Sequence, residues 1–391
     1  MTEGAWHEGE RVTPARAIAR AVLARRGARL GLAWIAVVAL LAVFAPFLAT
    51  SHPLLVAGEG GLASPVLDHL APEDGALLGV FLAVLVGWRL ACRPRVAMVA
   101  AASLFAVALV ASHTLLEPPR LVAHEQPRQA ATAGQWDWVV WAPVPWSPGD
   151  YLRDYGHTGL EAPLEAAPER IHWMGTEAGG SDLLSGMIHA TRVALGIGLV
   201  ATGIALVIGV VIGGFMGYFS GVVDILGMRV VEVVEAIPTL FLLLIFVAFF
   251  GRDLYLMMVI IGLTSWSVYA RYVRAEFLKL RQQEYVQAAV VMGLPLRSIL
   301  FRHMLPNGMA PVLVTASFGV ASAILAEATL SFLGLGPVDT PTWGRMLDQA
   351  VQSSTFNWWM ALFPGGAIFC TVFAYNLLGE ALRDAMDSEA S

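Results

Sequence analysis

The sequence predicts an all-α integral membrane protein, a polytopic bundle of about eight transmembrane helices. Three observations carry this expectation. Of 391 residues, 57% are hydrophobic and only 14% are charged, whereas globular domains average about 25% charged residues. Several apolar runs exceed the roughly 10–14 residues that buried helices of soluble proteins use. The basic residues gather beside particular runs, as they do where positive charge is retained on the cytoplasmic side of a bilayer.

The first run, "LGLAWIAVVALLAVFAPFL", follows Arg11, Arg16, Arg20, Arg25, Arg26 and Arg29. This flank predicts a cytoplasmic N-terminus, residues 1–30. The run is long for a signal-peptide core and lacks a small-x-small cleavage site, so it reads as an uncleaved anchor. Residues 51–75 carry Glu59, Asp68, Glu73 and Asp74 and suit the outside. Next, "GALLGVFLAVLVGW" and "VAMVAAASLFAVALVAS" flank a turn containing Arg89, Arg93 and Arg95. They predict a membrane hairpin, which with the anchor fills residues 31–112.

Residues 113–188 are polar and rich in Pro, Gly and Trp, and are expected to form an extracytoplasmic loop. Its Trp136, Trp138, Trp141 and Trp146 read either as interfacial anchors or as a platform for an external partner. Between 189 and 384 the apolar runs resume, near 193–218, 230–250, 254–269, 310–333 and 358–378, before a tail at 385–391. Gly209, Gly213 and Gly217 recur every fourth residue. On a helix they form a stripe that lets a neighbour approach closely. With three spans before the long loop, both termini and the cluster Arg271, Arg274, Lys279, Arg281, Arg297 and Arg302 fall on the cytoplasmic side.

Two sets of residues stand out as candidate functional groups. The first is the cytoplasmic stretch 281–306, containing "EYVQAAVVMGLPLRSILFRHMLPN". Glu284 to Met292 reads as a helix with Tyr285, Ala288, Ala289 and Met292 along one face. Gly293 breaks it, because glycine alone turns cheaply into left-handed backbone. Pro295 suits the first turn of a second helix. Leu296, Ile299, Leu300 and His303 give that helix an apolar face, Arg297 and Arg302 lie on its edges, and Pro306 closes the unit. Such a hairpin can lie on a membrane or dock in a partner's groove; the small Ala288 and Ala289 favour the partner.

The second set is acidic: Glu232 and Glu235 just before Pro238, and Glu327 inside another run. Ionisable groups at membrane depth face the bundle interior and often serve function. They form either a pathway for cationic cargo or structural pairs, for example with Arg271 or Arg229. Pro238 reads as a packing kink.

Covalent chemistry finds no candidates. Lys279 is the only lysine and lacks the Gly-x4-Gly-Lys-Ser/Thr surroundings that neutralise nucleotide phosphates. Any ATP must therefore be hydrolysed by another chain, and no cofactor is expected on this one. The nine histidines show no i,i+4 pair and no nearby cysteine pair, which argues against zinc. Cys92 and Cys370 read as packing residues. Nothing points to nucleic acid.

The stretch "QAAVVMGLPLRSILFRHMLP" resembles the EAA loop of ABC-importer permeases. Ala288, Ala289, Gly293, Leu305 and Pro306 match that motif. Gln287 stands at its glutamate position and His303 at a hydrophobic one. Further blocks, "HWMGTEAGGSDLLSGMIHATRVAL", "MRVVEVVEAIPTLFLLL", "EATLSFLGLGPVDTPTWGRML" and "YNLLGEALRDAMD", are similar to the second, C-type permease subunit of dipeptide/oligopeptide/nickel importers. Here Glu177 replaces a family Asp, and Gly180-Ser181-Asp182 departs from the usual triplet. The front end, with "FAPFLATSHPLLV", resembles Yej-type peptide permeases. The resemblance implies a six-span permease core plus the additional hairpin, in a bacterial inner membrane and surrounded by lipid. It implies a heterodimer with a second permease, two ATP-binding subunits and an extracytoplasmic solute-binding protein. It gives Glu284, Gln287, Ala288, Ala289, Gly293, Arg302, His303, Leu305 and Pro306 the role of a loop coupled to the ATPase, and makes the chain a transporter subunit rather than an enzyme. Peptides are the implied cargo, with nickel or another small solute as the alternative. An ion-coupled secondary transporter titrating Glu235 and Glu327 is the rival; it predicts internal repeats, and none is evident.

Overall fold

The computed structural model describes residues 14–58, 61–90, 94–116, 118–119, 122–152, 159–165 and 171–390; Arg11, Glu59, Cys92 and Arg93 lie outside them. The fold is helical and built for a membrane. Five of its helices are long and apolar enough to cross a bilayer, and a sixth crossing results if one bent pair counts as a span. These are α2 (Arg26–Leu48), α7 (Leu183–Phe219), α10 (Leu254–Leu280), the continuous helix Leu296–Phe332 and α15 (Trp358–Ala390), with α8 (Gly221–Ala236) and α9 (Thr239–Phe250) as the bent pair. The hairpin is present as α4 (Pro72–Arg89) and α5 (Pro94–Leu115). Its arms are poorer spans: α4 carries Glu73, Asp74 and Arg89, and the apolar part of α5 is confined to Met98–Thr114.

A short helix, α1 (Pro14–Ala24), precedes the anchor. Ile18, Ala21 and Val22 lay it against Leu378, Ala381, Leu382 and Ala385 of α15, and the Arg25 guanidinium pairs with Asp384. Within the bundle, α7 packs chiefly on α10. A β-carbon on Gly209 would stand 2.4 Å from Tyr269 Cβ, and one on Gly217 2.5 Å from Phe277 Cβ. The small-residue stripe therefore works as its spacing implies, by bringing two backbones together.

Two of the expected spans differ in shape. The run 230–250 is not one rod, because the chain turns by 77° between α8 and α9. Pro238 causes this: it has no N–H to donate, and its ring forces the preceding residue out of helical geometry. Ile237 accordingly sits at φ −86°, ψ 121°. Conversely, Pro306 does not close a unit. Helix α12 (Leu296–Ser298) passes through a π-helical turn (Ile299–Met304) into α13 (Leu305–Phe332), which contains Pro306 and Pro311. The Leu305 N–H reaches back to the Leu300 carbonyl. Pro306 falls in the first turn of α13, where a missing N–H costs little. The last helix also runs on to Ala390, past the expected boundary at 384, and α7 starts at Leu183, before the expected one at 189.

The polar segments fold into a cap at one end of the bundle. Three short strands, β1 (Leu55–Gly58), β2 (Gly61–Ala63) and β3 (Trp138–Val140), form an antiparallel sheet in the order β2-β1-β3, with Val56 opposite both Ala63 and Val139. Helix α3 (Pro65–Asp68) packs on β1, and α6 (Gln126–Thr132) precedes β3 in the chain. The cap is tied to α2 by backbone bonds between Thr50 and Val144 (3.1 Å) and between Val144 and Leu48 (2.9 Å). Trp146 is buried there with Ala45, Leu152 and Ile188, while Trp138 is exposed. The loop tryptophans thus divide between core and surface.

Candidate functional site

Stretch 281–306 forms a hairpin at the end of α10. Helix α11 (Glu284–Val291) ends as glycine lets helices end: Gly293 takes φ +69°, and the Leu294 N–H closes on the Ala289 carbonyl at 3.1 Å. Pro295 then stands just ahead of α12 in extended geometry (φ −64°, ψ 144°) and not inside its first turn. Its carbonyl accepts from the Ser298 N–H at 2.8 Å.

The buried face of this hairpin is set by Val286 and Ala289 of the first arm and Ile299, Leu300 and Met304 of the second, packed on Phe277 and Leu280. Of the face formed by Tyr285, Ala288, Ala289 and Met292, expected to suit a partner, Tyr285, Ala288 and Met292 are exposed and Ala289 alone turns inward. The reason lies in composition. Every second-turn position of α11 is apolar, so a 3.6-residue period fits a stripe on either side of Ala289. What remains outside is an apolar tip: Val291 is 87% exposed and Met292 71%. Glu284, Gln287, Ala288, Arg297, Arg302 and Pro306 are exposed as well, whereas His303 and Leu305 are half-buried. Beside the tip lies a cavity of about 480 Å³ bounded by Phe219, Arg281, Gln287 and Val291. Gln287 Nε2 donates to the Gln282 carbonyl at 3.3 Å, and Arg281 donates to the Ser220 hydroxyl at 2.5 Å.

The acidic candidates separate. Glu232 pairs with Arg229 at 2.5 Å, and Glu235 accepts from the Arg271 guanidinium. Nearby, Arg274 clasps both carboxylate oxygens of Asp224. Glu235 also borders a cavity of about 330 Å³ between α7, α9, α10 and α13. Hydroxyls line it, from Thr202, Thr239, Ser265, Tyr269, Thr315 and Ser322. Such a surface offers uncharged donors and acceptors, with the Glu235 carboxylate at its edge. Pro238 forms the break beside it. Glu327 is elsewhere, in the last two turns of α13 and 2% exposed. Its Oε1 accepts from the Ser331 hydroxyl at 2.5 Å, and Thr342 hydrogen-bonds it too. Thr342 caps α14 (Trp343–Gln352), so Glu327 joins α13 to the following helix.

Polar groups of the cap escaped the reading of the sequence. His172, fully buried beneath Trp146, has Nδ1 2.8 Å from Asp182 and Nε2 3.6 Å from Glu161. Asp182 also caps α7 by accepting from the Ser185 N–H at 2.7 Å. That cap was visible as an Asp three residues ahead of Ser185 at the start of an apolar run; the histidine was not, because its partners are distant in the chain. A second group collects His52, stacked on His69 at 3.6 Å, with His124 6.2 Å away. Burial, and then the neighbouring His69 and His124, push the His52 imidazole down to about 4; burial lowers His124 also. Burial raises the Glu177 carboxyl. Among the described residues, no group of three or more His, Cys, Asp or Glu side chains is arranged to hold a metal ion.

Comparison with known proteins gives a consistent picture. Residues 209–390 match the family described as binding-protein-dependent transport system inner membrane component. The oligopeptide transport system permease protein OppC of Haemophilus influenzae is 37% identical over 227 residues, covering 57% of this chain and 73% of that one. The dipeptide transport system permease protein DppC of Alkalihalophilus pseudofirmus is 35% identical over 221 residues (56% and 73%). The glutathione transport system permease protein GsiD of Pectobacterium atrosepticum is 37% identical over 225 residues (57% and 75%). Among solved structures, a chain of the inward-facing MetNI methionine ABC transporter superposes with a TM-score of 0.43 at 17% identity, over 51% of this chain and 96% of that one.

Proposed function

Since this chain belongs to the family of binding-protein-dependent transport system inner membrane components, we propose that it is the C-type permease subunit of an ABC peptide importer. It forms half of a pore in the bacterial inner membrane, with a second permease as the other half. Two separate ATP-binding subunits hydrolyse ATP, and an extracytoplasmic binding protein delivers the peptide. The relatives named for oligopeptides, dipeptides and glutathione support that cargo.

The exposed apolar tip of hairpin 281–306 carries this reading. Val291 and Met292 are exposed, with no covering element among the described residues, and a contiguous apolar tip of this kind marks a surface that a partner covers. The hairpin faces the cytoplasm and seats in a groove of an ATP-binding subunit. Nucleotide-driven closure of those subunits moves it and shifts the bundle between two arrangements. Peptide then passes the hydroxyl-lined cavity, where uncharged donors and acceptors bind a backbone of any sequence.

The test is affinity purification of the tagged chain from its native membrane in mild detergent. ATP hydrolysis is assayed in the eluate, and uptake of a labelled tripeptide in vesicles. ATPase should co-purify with the wild type. Gly293→Trp should abolish coupled uptake, because the space around Gly293 is open but its φ of +69° strains any side chain. An eluate without ATPase activity overturns the assignment.

A further inference from the structure

The additional hairpin lies outside the matched residues 209–390, yet it builds one wall of a cavity of about 490 Å³. Small-molecule sites typically occupy about 300–1,000 Å³. Charges of both signs ring this one: Glu73 from α4, Arg192 from α7, Arg252 and Asp253 ahead of α10, and Asp339. Leu77, Val193 and Met258 form an apolar floor.

The ring is incompletely satisfied. Arg192 donates Nη1 to Asp74 of the hairpin and Nε to the Ala42 carbonyl (2.7 Å), but its Nη2 is buried without a partner. Buried donors left unpaired are rare and call for an acceptor. Arg252 is exposed and makes no ion pair among the described residues. The guanidiniums therefore offer donors to an anionic group. A simple anion would also meet three carboxylates, so the ring fits a zwitterion: a phosphate at the arginines and an ammonium at Asp253 and Asp339.

What lies below the ring decides which zwitterion. Val80 and Val84 continue the stripe of α4 that begins at Glu73 and Leu77, and both are exposed. On α10 the stripe from Tyr255 continues through exposed Val259 and Leu263, and on α7 the stripe from Arg192 continues through exposed Leu199 and Val200. The Tyr255 hydroxyl donates to Glu73 at 2.8 Å across the top of this channel. Beneath that bond, α4 packs mainly on α5 and α10 mainly on α7. An apolar channel under a zwitterionic ring matches hydrocarbon chains under a headgroup. A peptide has no such chains.

We propose that this cavity binds the headgroup of a phospholipid bearing both a phosphate and a primary ammonium, with its acyl chains in the channel between α4 and α10. The hairpin then contributes a lipid site to the permease.

The experiment uses the delipidated, detergent-purified importer complex and follows its thermal unfolding. The additives are phosphatidylethanolamine, phosphatidylcholine, phosphatidylglycerol or trialanine. Phosphatidylethanolamine should raise Tm most, since a quaternary ammonium cannot donate hydrogen bonds and phosphatidylglycerol carries no ammonium. Arg252→Ala should weaken that response at least about tenfold, as loss of a charge-assisted hydrogen bond does. Asp339→Asn should narrow the preference over phosphatidylglycerol, and Val80→Trp should block the channel; all three positions are exposed, so the fold survives. Equal responses to the three lipids, variants that leave the preference unchanged, or stabilisation by trialanine in place of lipid each overturn the proposal.

Discussion

The Gly213 backbone lies so close to Ala270 that a β-carbon at position 213 would stand 2.3 Å from the Ala270 carbonyl oxygen. At that separation neither helix has a side chain that could yield. The contact fixes α7 and α10 as one rigid pair, around which the hydroxyl-lined cavity is arranged.

Gly213→Leu should force this pair apart and cost about 1–3 kcal/mol, the usual range for overpacking. Thermal unfolding of the purified protein measures it. Gly203→Ala on the same helix is the control: its β-carbon would meet nothing within 4 Å, so the Tm should hold or rise slightly.

The histidine group of the cap should make stability depend on pH. His52 titrates near 4 in the folded cap and near 6.5 once unfolded. The unfolded chain therefore takes up the proton first. Stability is full above about pH 6.5 and is lost as pH falls toward 4. Asp150 opposes this loss, while Arg128 and the neighbouring His69 and His124 favour it. A Tm profile between pH 7 and 4 should slope downward on acidification, and His52→Gln should flatten it. An unchanged slope in the variant would locate the effect elsewhere.

Glu327→Gln should leave peptide uptake intact, because an amide oxygen still accepts from Ser331. Glu327→Leu strands the Ser331 and Thr342 hydroxyls in a buried site and should cost about 1–3 kcal/mol for unmade hydrogen bonds. If Glu327→Gln instead abolishes uptake while Tm is unchanged, the carboxylate carries charge in transport.

Asp182→Ala removes the cap of α7 and the Nδ1 partner of the buried His172 together. A lost cap costs about 0.5–2 kcal/mol. The buried imidazole, left without its Nδ1 partner, should add to that, so the loss should exceed the range of a cap alone.

Local signals in the sequence sufficed for much of this architecture. The apolar runs marked the spans, the spacing of Gly209, Gly213 and Gly217 marked a close helix contact, and Arg229 and Arg271 are the partners that Glu232 and Glu235 find. Gly293 turns the hairpin as its residue type implies. Features that depend on distant residues were hidden. The buried face of α11 was ambiguous because its second turn is apolar all round. The sheet pairs residues near 55 with residues near 140, and His172 meets Glu161 and Asp182 only after the cap folds. Pro306 misled for a subtler reason: a proline can sit within a long helix when it falls at a first turn, and the π-helical turn that creates that position leaves no mark in composition.

Helix Leu296–Phe332 has no loop between the exposed hairpin and the opposite end of the bundle. At 37 residues and 1.5 Å per residue it is about 55 Å long. A rod of that length converts angle into distance: tilting it by about 5° carries its far end through about 5 Å. Glu327, hydrogen-bonded to Ser331 and Thr342, fastens the start of α14 to that far end. A push at Arg297 thus arrives at α14 as a lateral stroke, passed along one continuous helix.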